Sequence, residues 1–323
     1  MIGTEPITII VPVYGRSELL EQALSSVLEQ ENRNWKLIIA DDGSDAGTQE
    51  YLRKWNEENN SEKIEWHRRS ANLGLFTNLN KAIEDTCTEW ILLLCSDDLL
   101  LPTALNTLSE LSECWPQTSL ILSSFISINA DGSTRPADSA WHHKQVSEKT
   151  DLIPTERFIP ALLQLGSLNG NLTGMAFTRR LWQEAGPFKA DWRHAADWEW
   201  LIRTSECGPI LLNRAPIAKV RTHSAQLSNS NRRGGEELRE VAEVVRQLCS
   251  HRLLINEAKR KLWAAHIMQF QLWNLIKIIW RQPTQKSINQ LKQIKKAGGL
   301  TNTAIALLRS IPNRVVERFK AGG

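Results

Sequence analysis

Three apolar runs in the first hundred residues each end in side chains that can do chemistry. The run 7–14 leads into Gly15-Arg16, the run 36–40 into Asp41-Asp42-Gly43-Ser44, and the run 90–95 into Ser96-Asp97-Asp98. In a parallel α/β sheet, ligands collect beyond the carboxyl ends of the strands. Two carboxylate pairs at one sheet edge repel each other unless positive charge lies between them. A divalent cation carrying a diphosphate answers that need, because hard cations take carboxylate oxygen and share their shell with substrate phosphates. Each pair alone also fits a plainer reading. Asp41-Asp42-Gly43-Ser44 suits an ordinary turn, and Asp97-Asp98 suits a helix cap before Pro102. Finding both pairs directly after short apolar runs weakens the plainer reading of the two together.

The elements that must position these residues follow from the pattern. Residues 7–14, 36–40 and 90–95 are continuous β-rich apolar runs, as expected for strands buried on both faces. Residues 64–67 predict a short strand, and 119–129 and 172–177 two more. Helices are expected from Ser17, with Leu20, Leu24, Val27 and Leu28 as the apolar stripe, and over 49–59, 75–85, 103–111, 178–185 and 197–207. Strand and helix alternate to about residue 130, which predicts a mixed, mainly parallel sheet with helices on both sides. Residues 131–165 read as less regular, with His142-His143 in a loop, and 209–222 as strand-like. Arg232-Arg233-Gly234-Gly235 reads as a loop. From Glu236 the pattern is helical, with breaks expected at Pro283, Gly298-Gly299 and Pro312.

The chain has 323 residues, 41% hydrophobic and 23% charged, enough for one large α/β domain and an appendage. Its five cysteines, Cys87, Cys95, Cys114, Cys207 and Cys249, show no CxxC spacing. Three lie in apolar runs that predict burial, and free thiols in a reducing compartment fit best. Residues 1–5 carry no basic leader, and no stretch reaches the roughly 20 apolar residues of a membrane span. Charge is unevenly spread. Residues 251–323 hold 14 Lys and Arg against Glu257 and Glu317, leaving 25 basic and 34 acidic residues before them.

The ordered set of motifs resembles family 2 glycosyltransferases of the GT-A fold, over residues 7–228. The matching pieces are Pro12 and Tyr14, then Asp41-Asp42-Gly43-Ser44, then Asn72-Leu73-Gly74 with Asn78 and Asn80. Cys95-Ser96-Asp97-Asp98 with Pro102 comes next, then Gly186-Pro187-Phe188, Asp197-Trp198-Glu199 and Arg221-Thr222-His223. The resemblance implies a GT-A (Rossmann-like) domain over 1–230, with a nucleotide-binding half (1–130) and an acceptor half (131–230). A basic, Trp-containing helical region follows over 231–323. It implies that Pro12, Tyr14, Asp41, Asp42, Asn72 and Asp97 hold the donor nucleotide. Asp98 and Asp97, with His223 nearby, would ligate Mn²⁺ or Mg²⁺. Asp197 would be the catalytic base of an inverting enzyme, and Trp198 and Glu199 would face the acceptor. The sequence departs from the family's frequent pattern at Cys95 and Ala196, where an acid is common, and at Leu79, where many members carry Arg. Cysteine is a poor ligand for a hard cation, so metal binding would rest on Asp98 and Asp97.

The expected reaction is a single displacement at an anomeric carbon. It needs a base for the acceptor hydroxyl and a metal for the departing diphosphate. Glu199 is an alternative base, but on a helix it points away from Asp197, so only one of them faces the cleft. Trp192, Trp198 and Trp200 suit either sugar platforms or core. The expected donor is a nucleoside-diphosphate sugar, UDP before GDP or dTDP, and the acceptor a glycan or lipid-linked sugar of the cell envelope. Two other readings compete: an inactive nucleotide-sugar-binding scaffold and a sugar-phosphate nucleotidyltransferase. The second would favour a Gly-rich loop after the first strand, where Gly15 stands alone. A dehydrogenase is disfavoured by the lack of G-x-G-x-x-G. Aromatic and basic residues over 259–281 suit either a helix packed on the protein or peripheral contact with an anionic membrane. The expected location is the cytoplasm, at the inner face of the cytoplasmic membrane if that contact forms. No nucleic-acid motif accompanies the charge.

Overall fold

A computed structural model describes residues 5–15, 17–135, 141–168, 171–223, 236–281 and 285–321. The expected Arg232–Gly235 loop, the break at Pro283 and Arg16 lie outside these residues. By internal contacts the chain divides into two compact units. One holds Met1–Phe158 and Leu168–Gln226, the other Ile159–Ser167 and Leu227–Gly323.

The first unit is built on a nine-stranded sheet. Its strands are β1 (Ile7–Val13), β2 (Trp35–Asp41), β3 (Ile64–Arg68), β4 (Trp90–Leu93), β5 (Leu99–Leu100), β6 (Leu120–Ile128), β7 (Asp151–Ile153), β8 (Met175–Thr178) and β9 (Ile210–Arg221). The order is β3-β2-β1-β4-β8-β6-β9-β5, with β7 also pairing β9. β3, β2, β1 and β4 run parallel, β8 runs antiparallel to both β4 and β6, and β6 is parallel to β9. The helices are α1 (Ser17–Leu28), α2 (Ala46–Glu58), α3 (Leu75–Glu84), α4 (Ala104–Cys114), α5 (Trp141–Val146), α6 (Thr155–Leu165, passing into the second unit at Ile159), α7 (Arg179–Ala185) and α8 (Ala196–Cys207).

The central strands are apolar on both faces because both are covered. Ile7, Ile9, Val11 and Val13 share a core with Leu20, Leu24 and Val27 of α1. Ile10, on the opposite face, is fully buried, as are Leu79 and Ile83 of α3. The exception is β3, a half-exposed sheet edge. Alternation of strand and helix was therefore a sound guide up to β6.

Four expectations need correction. Most of the described residues of 131–165 are regular: from Trp141 on they form α5, β7 and α6. His142-His143 is helical rather than a loop, and His143 is 2% exposed. The cysteines are not buried: Cys87, Cys114 and Cys207 are exposed and Cys95 and Cys249 half-buried, all as free thiols. Cys114 and Cys207 are the last residues of α4 and α8, where apolar periodicity ends before the helix does. Pro312 does not break its helix.

The second unit contains α9 (Glu236–Cys249), α10 (Glu257–Arg281), α11 (Gln285–Gly298) and α12 (Leu300–Ala321). Its interior is lined by Val241, Val245, Leu248, Ala264, Met268, Leu275 and Ile294. Gly299, with φ of +70°, makes the expected break between α11 and α12. Among the described residues no helix is long and apolar enough to cross a membrane.

His143 gives the first unit a built-in acid sensitivity. Its Nε2 donates to the Leu168 carbonyl at 2.7 Å, and its Nδ1 lies 3.3 Å from Ser124 Oγ. Burial, with the Arg214 charge adding, pushes its pKa from 6.5 down to about 4. The folded value lies below the unfolded one, so the stabilisation is complete above pH 6.5 and is lost as pH falls towards 4. The loss amounts to about 3 kcal/mol across that window. His142 and Asp98 titrate in the same window in both proteins, so the check is a difference: in urea denaturation the stability gap between wild type and His143→Gln should shrink as pH falls from 6.5 towards 4.

Candidate active site

At the end of β2 the chain turns through Gly43, whose φ is +71°. A Cβ there would sit 2.7 Å from the Ala71 carbonyl carbon, so the turn lies directly against segment 71–74. Asp42 fastens the contact: one oxygen accepts from Leu73 N at 2.8 Å, the other from Gly74 N at 2.9 Å. Burial pushes the Asp42 pKa up, opposed by those two amides, and the neighbouring Asp41 carboxylate adds to the rise. Ser44 N donates to Asp41 Oδ1 at 2.9 Å, and Gly15 N donates to Ser44 Oγ at 3.0 Å, tying in the loop after β1. Asp41 is fully buried, and its Oδ2 accepts no hydrogen bond. A buried carboxylate oxygen without a donor is costly, which marks it as a place for a ligand N–H or O–H. Around this point stand Pro12, half-buried, Tyr14, 60% exposed, and Asn72, exposed, whose Oδ1 accepts from Gly74 N.

Beyond β4, Asp98 is fully buried and accepts three bonds. Thr173 Oγ1 donates at 2.5 Å, Asn171 Nδ2 at 3.2 Å and Arg221 N at 2.8 Å. Burial first, and Asp97 second, push its pKa up to about 7. Asp97 Oδ2 lies 3.0 Å from His223 Nε2. Beneath them Arg221, 2% exposed, donates Nε to the Asp97 carbonyl at 3.0 Å, Nη1 to the Ala130 carbonyl at 2.9 Å and Nη2 to Gln22 Oε1 at 2.8 Å. The structure thus sets Asp97 beside both Asp98 and His223.

The donor set suits a hard divalent cation. A carboxylate offers about four lone-pair positions, so three bonds leave Asp98 one to give. Asp97 adds a second carboxylate, with His223 Nε2 against its Oδ2. Cys95 joins Asp97 and Asp98 in a cluster whose ligand atoms lie within 4.8 Å of one another. Its thiol donates to Asn171 Oδ1 at 3.4 Å, and burial and both aspartates hold its pKa well above the ordinary value. It therefore stays a neutral thiol, unsuited to a hard cation.

Asp197 lies half-buried in the first turn of α8, on a separate framework. The chain entering that helix is pinned at Gly186-Pro187-Phe188. Asn80 brackets Phe188, accepting from its N at 3.0 Å and donating to its carbonyl at 2.8 Å. Trp200 Nε1 donates to the Gly186 carbonyl at 2.9 Å, and Arg203 to the carbonyls of Ala185, Gly186 and Pro187. Glu199, expected at an acceptor, is instead 4% exposed and holds Arg203 through both oxygens, with Lys189 at 3.4 Å. Trp192, Trp198 and Trp200 are at most 6% exposed, so none is an open sugar platform. Trp200 packs on Phe177 and Phe188.

Sequence reading missed Arg221, Asn171, Thr173 and Arg203. Arg221 stood in a quoted motif without a role. Asn171 and Thr173 reach Asp98 from 73 and 75 residues away, which no local signal reveals.

Gly43→Ala should destabilise the protein by about 3 kcal/mol, from the positive φ and the backbone clash together. Chemical denaturation measures this. A cost under about 0.5 kcal/mol would show that the turn can lift off segment 71–74.

Comparison with known proteins bears on the family and the fold. The pattern described as "Glycosyl transferase family 2" matches residues 8–180. The GalNAc(5)-diNAcBac-PP-undecaprenol beta-1,3-glucosyltransferase of Campylobacter jejuni is 29% identical over 105 residues, 32% of this chain and 33% of that protein. The chain's matches span only 20% to 36% of the first curated relatives' lengths. Among solved structures, S. aureus TarS 1-349 in complex with UDP-GlcNAc aligns with a TM-score of 0.66 at 15% identity, covering 95% of this chain and 92% of that one. The mannosyltransferase PcManGT of Pyrobaculum calidifontis, in complex with GDP-Man and Mn²⁺, aligns with a TM-score of 0.57 at 16% identity, covering 95% and 88%. These likenesses establish the GT-A fold. The family pattern covers more than half of the residues, and the chain belongs to glycosyl transferase family 2.

Proposed function

We propose that this protein is an inverting glycosyltransferase that moves a sugar from a nucleoside-diphosphate sugar to a glycan or lipid-linked acceptor. The observation that carries the reading is the joining of Asp97, Asp98 and His223 two strands away from the unmet Asp41 Oδ2. β2 and β4 flank β1, so their ends stand about 10 Å apart. That span suits a nucleoside at Asp41 and Asp42, with its diphosphate at Asp97 and Asp98.

Asp41 Oδ2 accepts an N–H or O–H of the base or ribose, and Tyr14 and Pro12 offer it apolar surface. Asp42 serves by holding segment 71–74 in place, with Asn72 on its exposed side. Asp98, Asp97 and His223 are the residues that would hold Mn²⁺ or Mg²⁺. When bound, such an ion would stabilise charge on the departing diphosphate. Arg221, already bonded to fixed carbonyls, keeps both aspartates in position.

Asp197 accepts the proton of the acceptor hydroxyl. As that proton leaves, the oxygen forms its bond to the anomeric carbon. The bond from that carbon to the phosphate oxygen breaks, and its electron pair departs with the nucleoside diphosphate. One displacement inverts the anomeric centre. The UDP- and GDP-sugar complexes of the structural neighbours support this donor class. UDP is the first donor to test.

The test is nucleoside diphosphate release from a panel of UDP-, GDP- and dTDP-sugars with Mn²⁺ or Mg²⁺, with and without membrane-lipid acceptors. Release with one donor, abolished by EDTA and by Asp98→Asn, is expected. Asp197→Asn should lower kcat about 10²- to 10⁴-fold with little change in KM. Release unaffected by Asp197→Asn removes the base assignment. Metal-dependent nucleotide binding without turnover on any acceptor favours a binding scaffold, and no nucleotide binding at all overturns the reading.

A further inference from the structure

The second unit carries most of the exposed apolar surface. Eleven of the 13 exposed large hydrophobic residues among those described lie in it, and only Tyr14 and Leu73 in the first. Their arrangement on α10 is ordered. Ala264, Ala265, Met268, Leu272 and Leu275 are buried and form its inner face. Leu262, His266, Phe270, Trp273, Lys277 and Trp280 recur at spacings of three and four, so they share another face. On it Leu262 is 57% exposed, Phe270 50% and Trp280 89%. Two contacts stiffen this face: Lys277 Nζ stands 5.0 Å from the Trp273 ring centre, and the His266 and Phe270 rings meet edge-on at 6.4 Å.

We propose that this face of α10 lies on an anionic lipid bilayer, with its aromatic rings at headgroup depth and its long axis along the surface. Three observations select this occupant. Aromatic rings beside lysine, exposed on one stripe, are the composition that partitions into the interface. Residues 251–323 hold 14 Lys and Arg against two acids, complementary to anionic headgroups. The same net charge of residues 251–323 opposes close pairing of this region with that of a second copy. A span is excluded for α10, which is too polar to cross. The face therefore acts as a peripheral anchor. It does not depend on the transfer reading, since a nucleotide-binding scaffold would be anchored equally well.

The experiment is co-sedimentation of the full chain with vesicles of phosphatidylcholine containing about one third phosphatidylglycerol, against phosphatidylcholine alone. Binding is expected to the anionic vesicles and to fall steeply as salt rises to about 0.5 M. Lys277→Glu should weaken binding about fivefold or more. Phe270→Glu with Trp280→Glu should weaken it at least about tenfold. Both variants change exposed side chains and should keep the wild-type circular dichroism and nucleotide binding. No sedimentation with anionic vesicles overturns the proposal. So does equal binding to neutral vesicles, or binding that both variants retain. A dimer in light scattering that Phe270→Glu with Trp280→Glu dissolves would assign the face to self-association and also overturn it. Loss of vesicle binding with nucleotide binding intact separates this proposal from the transfer reading.

Discussion

Four carboxylates stand at one edge of a sheet, and most of what surrounds them exists to make that tolerable. An ionised carboxylate taken out of water must recover its hydrogen bonds from protein. Asp42 recovers them from two backbone amides, and Asp98 from a threonine, an asparagine and an amide. Each set of bonds also locks two distant stretches of chain together. Solvating the charge and assembling the site are the same act, so a substitution at either aspartate disturbs both.

Arg221 shows the principle from the cationic side. Its guanidinium binds the Asp97 carbonyl, the Ala130 carbonyl and Gln22, while the Arg221 amide serves Asp98. The positive charge lies beneath the pair and is held by neutral acceptors.

The sequence made the near half of the site legible and the far half obscure, for physical reasons. Strands buried on both faces are written as unbroken apolar runs, so their ends, and Asp41, Asp42, Asp97 and Asp98, could be located directly. Apart from Ser44 N at Asp41, the polar groups that bond them come from 31 to 126 residues away, and no periodicity connects them. Residue type carries no record of which helix face is covered, so it sets Glu199 and Trp198 at an acceptor and leaves Trp192 and Trp200 between sugar platform and core. Glu199 lies two residues from Asp197, yet it is sealed against Arg203. His142-His143 was read as loop because α5 is only six residues long, too short to show a helical period.

Two of the three departures from the family's frequent pattern, Cys95 and Ala196, have a common logic in this chain. Asp98 is already pushed to about 7 by burial and by Asp97. A third carboxylate at position 95 would raise that further, since like charges in one site cannot all ionise without compensation. Cys95 keeps the position neutral and still bonds Asn171, the residue that also donates to Asp98. Position 196 is fully buried, so an acid there would carry its charge into the core beneath α8. Alanine leaves the helix start uncharged, and Asp197 and Glu199 remain the acids of its first turn. Glu199 is committed to Arg203. Both departures lower the charge buried at the site while sparing the groups on which the transfer reading depends.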